Sequence, residues 1–318
     1  MQDDFSSLVA PLDGLSPPEW KSRIADIAEE HGMFQELGDR HFASFIDHGN
    51  TLLVTFESVE SIHTISKDAH PLGFQMVTEH GWSHLCFVSD GDTWFRDSRV
   101  YGFFDQLIDD GFFEDFDTVV FYGAGPCGYA ASAFSVAAPG ARVLAVQPQA
   151  TLDPRMTEWD DRFTEMRRVD FNDRYGYAPD MLDAAERAFV LYDPYEDLDA
   201  MHAALFERPN VERFRMPLMG AALQTRLTAM QILFPMLLQL ADDSLTRLSF
   251  AKLYRARRHN LSYLRGLMGY LDSQGRPMLT YLLCRNVVNR KSAPRFKRRL
   301  AGLKKRAAEG AFRIPEAA

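Results

Sequence analysis

Apolar positions along this chain follow two regimes. Up to Pro217, short apolar runs at 41–47, 51–57, 83–89, 118–123, 142–148, 188–193 and 211–217 read as strands. Between them, residues 17–30, 98–110, 128–138, 156–168, 179–187 and 198–207 carry helical spacing. Repeated strand and helix alternation predicts an α/β protein with a mostly parallel sheet covered by helices. His48-Gly49-Asn50, between the first two runs, predicts an N-terminal hairpin. From Gly220 onward the spacing is helical alone: Met230, Leu233, Leu237 and Leu240 share a face, and Leu261, Leu264 and Leu271 continue it past Asp242-Asp243. Pro235 is expected to kink the first of these helices and Pro294 to open the last, with a turn at 275–277 between two of them.

At 318 residues, 46% hydrophobic and 25% charged, the composition is that of a globular chain with one large domain and an appendage. Asp3 and Asp4 stand where a secretory signal would be basic, and the apolar stretch from Met230 to Ala241 is too short for a membrane span. Cys86, Cys127 and Cys284 are widely spaced, which predicts neither a disulfide framework nor a metal site. A cytoplasmic location is expected on these grounds.

The net charge of −9 hides a polarity along the chain. Residues 246–306 carry 17 Lys/Arg against one acid, Asp272, whereas residues 1–245 carry 17 Lys/Arg against 41 Asp/Glu. The expected organisation is an acidic α/β domain, 1–245, and a basic helical C-terminal region, 246–318. Arg255, Arg257, Arg258, Arg295, Lys297, Arg298, Arg299, Lys304, Lys305 and Arg306 would suit an anionic partner or the chain's own acidic body. No recognisable nucleic-acid module accompanies them.

The densest chemical signal lies at Val119-Val120-Phe121-Tyr122-Gly123-Ala124-Gly125-Pro126-Cys127-Gly128-Tyr129-Ala130-Ala131, an apolar strand, a glycine turn and a small-residue helix. As Gly-x-Gly-x-x-Gly it is a phosphate turn. Gly123, Ala124, Gly125 and Gly128 would then bring backbone N–H groups to a nucleotide, with Gln147 where such domains place a ribose-binding acid. That template implies a nucleotide-dependent oxidoreductase or transferase. As Gly-x-Ser-x-Gly it is a nucleophile elbow whose serine has become Gly125. A third reading spends the glycines on strand-to-helix packing, with Pro126 in its favoured first helical position.

The stretch from Tyr122 to Ala131 resembles the Tyr-Gly-Ser-Ser-Met-Gly-Gly-Tyr-Ala-Ala turn of a bacterial group of α/β-hydrolase-like proteins, some encoded with polysaccharide or glycosyltransferase genes. Residues 142–149, Leu152-Asp153-Pro154, Trp159-Asp160-Asp161-Arg162 and Trp94-Phe95-Arg96 are similar to further segments of that group, which extends the resemblance over residues 80–220. It implies a hydrolase-like sheet with a degenerate triad. The nucleophile position holds Gly125, and Pro126 has no N–H for the oxyanion hole, a donor worth roughly 3–4 kcal/mol in the transition state. The position of the base histidine reads Met219-Gly220-Ala221-Ala222. Only the acid is filled, by Asp193 or Asp197. The implied role is that of a pseudoenzyme that binds or assists, in glycan or surface-polymer metabolism.

The chain is also similar to proteins labelled phosphoadenosine phosphosulfate reductase. That chemistry uses a Ser-Gly-Gly-x-Asp-Ser phosphate loop and a C-terminal Glu-Cys-Gly-x-His cysteine, and the sequence has neither. Cys127, in the first turn of its helix, is a candidate thiol nucleophile or redox group if the macrodipole lowers its pKa, and a packed residue otherwise. His80 and His84 are four apart but run into a strand, which spoils a zinc-binding helical face. Asp90-Gly91-Asp92 reads as a capped turn, with divalent-cation binding as the alternative, and His202 as a surface or packing residue. The residues name no cofactor and no specific small molecule for the 123–128 turn.

Overall fold

Eight strands build one sheet in the computed structural model, which describes residues 6–314. They are β1 (Gly32–Glu36), β2 (His41–Ile46), β3 (Thr51–Ser58), β4 (Ser83–Ser89), β5 (Thr118–Ala124), β6 (Arg142–Val146), β7 (Arg187–Tyr192) and β8 (Val211–Arg215). Their order is β1-β2-β4-β3-β5-β6-β7-β8. β2 runs antiparallel to β1 and β4, and all pairs from β4 to β8 are parallel. Parallel strands covered on both faces need apolar side chains on both, which is why β4 and β5 read as continuous apolar runs rather than as alternation.

The N-terminal hairpin exists, one strand earlier than the local pattern indicated. β1 and β2 form it, whereas the runs on either side of His48-Gly49-Asn50 do not pair, because β4 lies between them. The 48–50 turn is a crossover past the start of β4. Ser83 Oγ accepts from the N–H groups of His48 and Gly49 at 2.9 and 3.1 Å and donates to the Gly49 carbonyl at 2.8 Å. A Cβ at Gly49 would lie 2.2 Å from the Gly81 carbonyl oxygen, so this crossing needs glycine. A strand arriving some thirty residues later leaves no trace in a local turn signal.

Other departures have local causes. The helix expected over 156–168 is only the short turns Pro154–Thr157 and Thr164–Arg168, since side chains of Asp153 and Asp160 bond backbone N–H groups two residues on. Residues 179–187 likewise shorten to Ala178–Met181 and Leu182–Ala184. Pro235 falls in the first turn of the Leu233–Ala241 helix, where it removes no helical hydrogen bond and introduces no kink.

The main core lies between the sheet and the helices Ser98–Asp109 and Pro126–Phe134. At its centre Phe56, Phe87, Phe104 and Phe134 stack nearly parallel, with centroids 4.6 Å apart for Phe104 and Phe134 and 4.7 Å for Phe87 and Phe104. On the opposite face, the helices Pro17–His31 and Gly73–His80 bury Ile24, Ile27, Phe74 and Val77 against Phe42, Cys86 and Val88.

The chain divides into two compact units at Leu253 and Tyr254. Residues 246–253 therefore belong with the sheet, where Phe250 stacks on Phe214 of β8 at 4.1 Å. The second unit has the helices Leu261–Ser273, Pro277–Arg290 and Pro294–Ala308 around Leu264, Met268, Tyr281, Cys284, Phe296 and Leu303. Asp272 pairs there with Arg299 at 2.7 Å, and Arg295, Lys297, Arg298, Lys304, Lys305 and Arg306 are exposed. No helix among the described residues is long and apolar enough to cross a membrane.

Phe104 is fully buried in the aromatic stack. Phe104→Ala is expected to cost about 3–5 kcal/mol in urea unfolding, and a loss under about 1 kcal/mol would show that the stack does not organise this core.

Candidate functional site

β5 ends where the Pro126–Phe134 helix begins, and the reversal takes place at Gly125, whose φ of 59° and ψ of −125° are open to glycine at little cost. Two hydrogen bonds fix the turn: Gly125 N–H donates to the Val146 carbonyl at 2.8 Å, and Tyr129 N–H donates to the Gly125 carbonyl at 3.0 Å. Its flanking glycines are spent on packing. A Cβ at Gly123 would sit 2.1 Å from the Cys127 carbonyl oxygen, and one at Gly128 would sit 3.1 Å from that of Val146. A Cβ at Gly125, by contrast, would meet nothing within 4 Å. The turn thus projects position 125 into open space at the C-terminal edge of a central strand. It is a sharp strand-to-helix turn made at a glycine.

The strand order and this turn together give an α/β-hydrolase-like fold. No family model and no curated protein sequence matches the chain. Among solved structures it is similar to a chain of the glycosylation-associated protein (Gap123) complex from Streptococcus agalactiae, with 12% identity and a TM-score of 0.44, over 64% of this chain and 45% of that one. It is similar to Est1E from Butyrivibrio proteoclasticus, with 11% identity and a TM-score of 0.39, over 66% of this chain and 98% of that one. A third is the Pyrobaculum calidifontis esterase, with 14% identity and a TM-score of 0.39, over 75% and 89% of the two chains. The first alignment spans less than half of that neighbour's own length.

A cleft of about 280 Å³ opens beside this turn. Its wall is Ala124, Gly125, Pro126, Gln147, Gln149, Arg162, Phe163, Asp199 and residues 221–225, with no serine, cysteine or histidine among them. Asp193, at the end of β7, is 1% exposed and fully engaged. Its carboxylate accepts from the N–H groups of Tyr195, Leu218 and Gly220 at 2.9, 3.1 and 2.6 Å. Asp193 therefore organises the loop after β8. Asp197 begins the Asp197–Leu205 helix and is exposed.

Cys127 is buried, and burial pushes its thiol pKa well up, opposite to the effect of a helix N-terminus alone. Gln147 holds a left-handed backbone, φ 50°, and each end of its amide makes one hydrogen bond. Nε2 donates to Asp199 at 2.6 Å, and Oε1 accepts from Leu223 N–H at 2.9 Å. One N–H and one lone pair of the amide remain on the cleft wall.

Sequence reasoning missed the ionic network behind the cleft. Arg162 donates to both oxygens of Asp160, and at 2.6 Å to Asp199. His202 is fully buried: Nδ1 accepts from Ala150 N–H at 3.1 Å, so the proton sits on Nε2, which faces Asp160 at 2.9 Å. Burial lowers the His202 pKa more than Asp160 raises it, so the imidazole is neutral. Burial also pushes the Asp160 carboxyl up, but bonds from His202 and Arg162 outweigh it and hold it well below the usual carboxylate range. The one legible signal was the Trp159-Asp160-Asp161-Arg162 run, in which an acid precedes an arginine by two residues.

Arg96 anchors the segment above the elbow helix. Its guanidinium donates to the carbonyls of Asp170 and Arg174, each at 2.8 Å, and to Tyr129 Oη at 3.3 Å. Before it, Trp94 and Phe95 both adopt positive φ, 51° and 55°, and Trp94 Nε1 donates to Gln149 Oε1 at 3.1 Å. The Trp94-Phe95-Arg96 run thus ties the loop after β4 to the cleft wall.

Gly125→Ala and Gly125→Ser are expected to lower stability equally, by about 1–3 kcal/mol in urea unfolding, because the cost is backbone strain and not a clash. An unchanged stability would remove the strained-turn assignment. The folded pKa of His202 is lowered, so the unfolded chain takes up the proton first and stability falls as pH drops below about 6.5. The folded pKa of Asp160 is also lowered, so its contribution is present above about pH 4 and lost as pH falls through the folded value. His202→Gln should flatten the limb below about pH 6.5, and an unaltered slope in unfolding curves between pH 7 and 5 would contradict the neutral buried imidazole.

Proposed function

We propose that this protein is a non-hydrolytic binding or accessory protein that uses the cleft beside the emptied elbow as its ligand site, in glycan or surface-polymer metabolism. The observation that carries this reading is Gly125 itself. The backbone there adopts the conformation that presents a nucleophile, and the residue has nothing to present. The supporting points are chemical. Pro126 offers no oxyanion N–H, no wall residue is an imidazole, and Asp193 is engaged with loop backbone. The wall that remains is amide and guanidinium with a few apolar residues, a lining suited to a polyhydroxylated ligand held by hydrogen bonds. The glycan context rests on the resemblance of residues 80–220 to proteins encoded with polysaccharide genes.

A fluorophosphonate probe should leave the protein unlabelled. Labelling abolished by changing one serine would overturn the non-hydrolytic reading. Thermal shift with a panel of oligosaccharides and of nicotinamide, flavin and S-adenosylmethionine ligands tests the binding half. An oligosaccharide response lost in Ala222→Trp, which fills the cleft from an exposed wall position, is the expected result. A response to the nucleotides alone would transfer the site to the phosphate-turn reading.

A further inference from the structure

A second group of chemically versatile side chains lies away from the elbow cleft, on the face of the sheet covered by the helices Pro17–His31 and Gly73–His80. β3 and β4 run parallel there, with Leu53 opposite His84 and Thr55 opposite Cys86. Side chains alternate along each strand, so Thr55 and Glu57 share one face with His84 and Cys86. The donor atoms of Glu57, His84 and Cys86 all lie within 4.8 Å of one another. We infer that Glu57, His84 and Cys86 form a zinc(II) site.

The separation of Glu57 from Cys86 suits the ion. Glu57 Oε1 and Cys86 Sγ are 3.5 Å apart, and Thr55 Oγ1 lies 2.8 Å from both Glu57 Oε1 and His84 Nε2. Tetrahedral zinc with bonds of about 2.0–2.3 Å places its ligand atoms roughly 3.3–3.8 Å from each other. One imidazole, one thiolate and one carboxylate are the donor types this borderline-soft ion accepts, and the Thr55 hydroxyl stands beside the fourth position.

Burial argues in the same direction. His84 and Cys86 are wholly inaccessible and Glu57 is 4% exposed, among Phe74, Val77, Val88 and other apolar side chains. Three ionisable groups in such a place are costly unless fully partnered. Zinc binding would displace one proton from the Cys86 thiol and one from the Glu57 carboxyl. Two negative ligands then neutralise the divalent ion with no oxidation or reduction.

The surroundings hold the set in place. A Cβ at Gly73 would lie 2.1 Å from the His84 ring, so glycine lets the Gly73–His80 helix close directly on the imidazole. Leu72 N–H donates to both Glu57 oxygens at 3.1 Å, which orients the carboxylate. Glu57 also forms part of the wall of a cleft of about 430 Å³ with Leu72, Phe74 and Gln224, a path by which the ion reaches the group. The site would tie the ends of β3 and β4 to the helix that covers them.

The test uses the full chain, stripped with chelator under reducing conditions and titrated with zinc or with cobalt(II). The expected results are one equivalent of zinc per chain by elemental analysis, a rise in Tm on zinc addition, and a thiolate-to-cobalt charge-transfer band. The band should vanish in Cys86→Ser and persist in Cys127→Ser, and Thr55→Val should weaken binding by about tenfold or more. A wild-type protein that takes up no zinc and shows no cobalt band, or a band that persists in Cys86→Ser, would overturn the assignment. The wild-type titration decides the matter even where a variant fails to fold.

Discussion

The close approach of β5 to the Pro126–Phe134 helix is the constraint around which this molecule is arranged. Gly123 has no room for a Cβ because the Cys127 carbonyl occupies that space, and a Cβ at Gly128 would press on the Val146 carbonyl of β6. The turn between them must pass through a conformation that costs side-chain-bearing residues about 1–3 kcal/mol. Enzymes accept that cost to expose a nucleophile. Here glycine removes the cost. The helix that the turn sets in place carries Phe134 into the phenylalanine stack.

Polar groups that could serve catalysis are committed to structure. Asp193 satisfies three loop N–H groups, and His202 joins Ala150 to Asp160 in the fully buried layer behind the cleft. Arg162 bridges Asp160 and Asp199, and Asp199 in turn fixes the Gln147 amide. A buried, connected network of this kind is rigid because removing one member strands the others without partners. Rigidity suits a preformed cleft, whose ligand need not pay to order the wall.

The two faces of the sheet therefore differ in chemistry. Beside the 123–128 turn, Asp160, Arg162, Asp193, Asp199 and His202 are paired with one another, with the Gln147 amide or with backbone. On the β3–β4 face, Glu57, His84 and Cys86 converge with a single hydroxyl between them, and one imidazole nitrogen is left over. Sequence spacing does not reveal this cluster, because its members come from two strands whose neighbourhood is set by register.

Apolar runs and turn residues by themselves determined the mostly parallel α/β sheet, its strand positions from 83 to 215, the helical C-terminal third and the glycine at position 125. These are local properties: an apolar run must be buried, and a glycine has no side chain in any fold. Tertiary structure alone decided that β4 separates β2 from β3, that residues 156–168 do not form a continuous helix, and that residues 246–253 pack with the sheet. It alone placed Asp160 beside His202 and Glu57 beside Cys86. Those outcomes depend on pairings across dozens of residues, where register and packing, invisible to any local window, choose the partner.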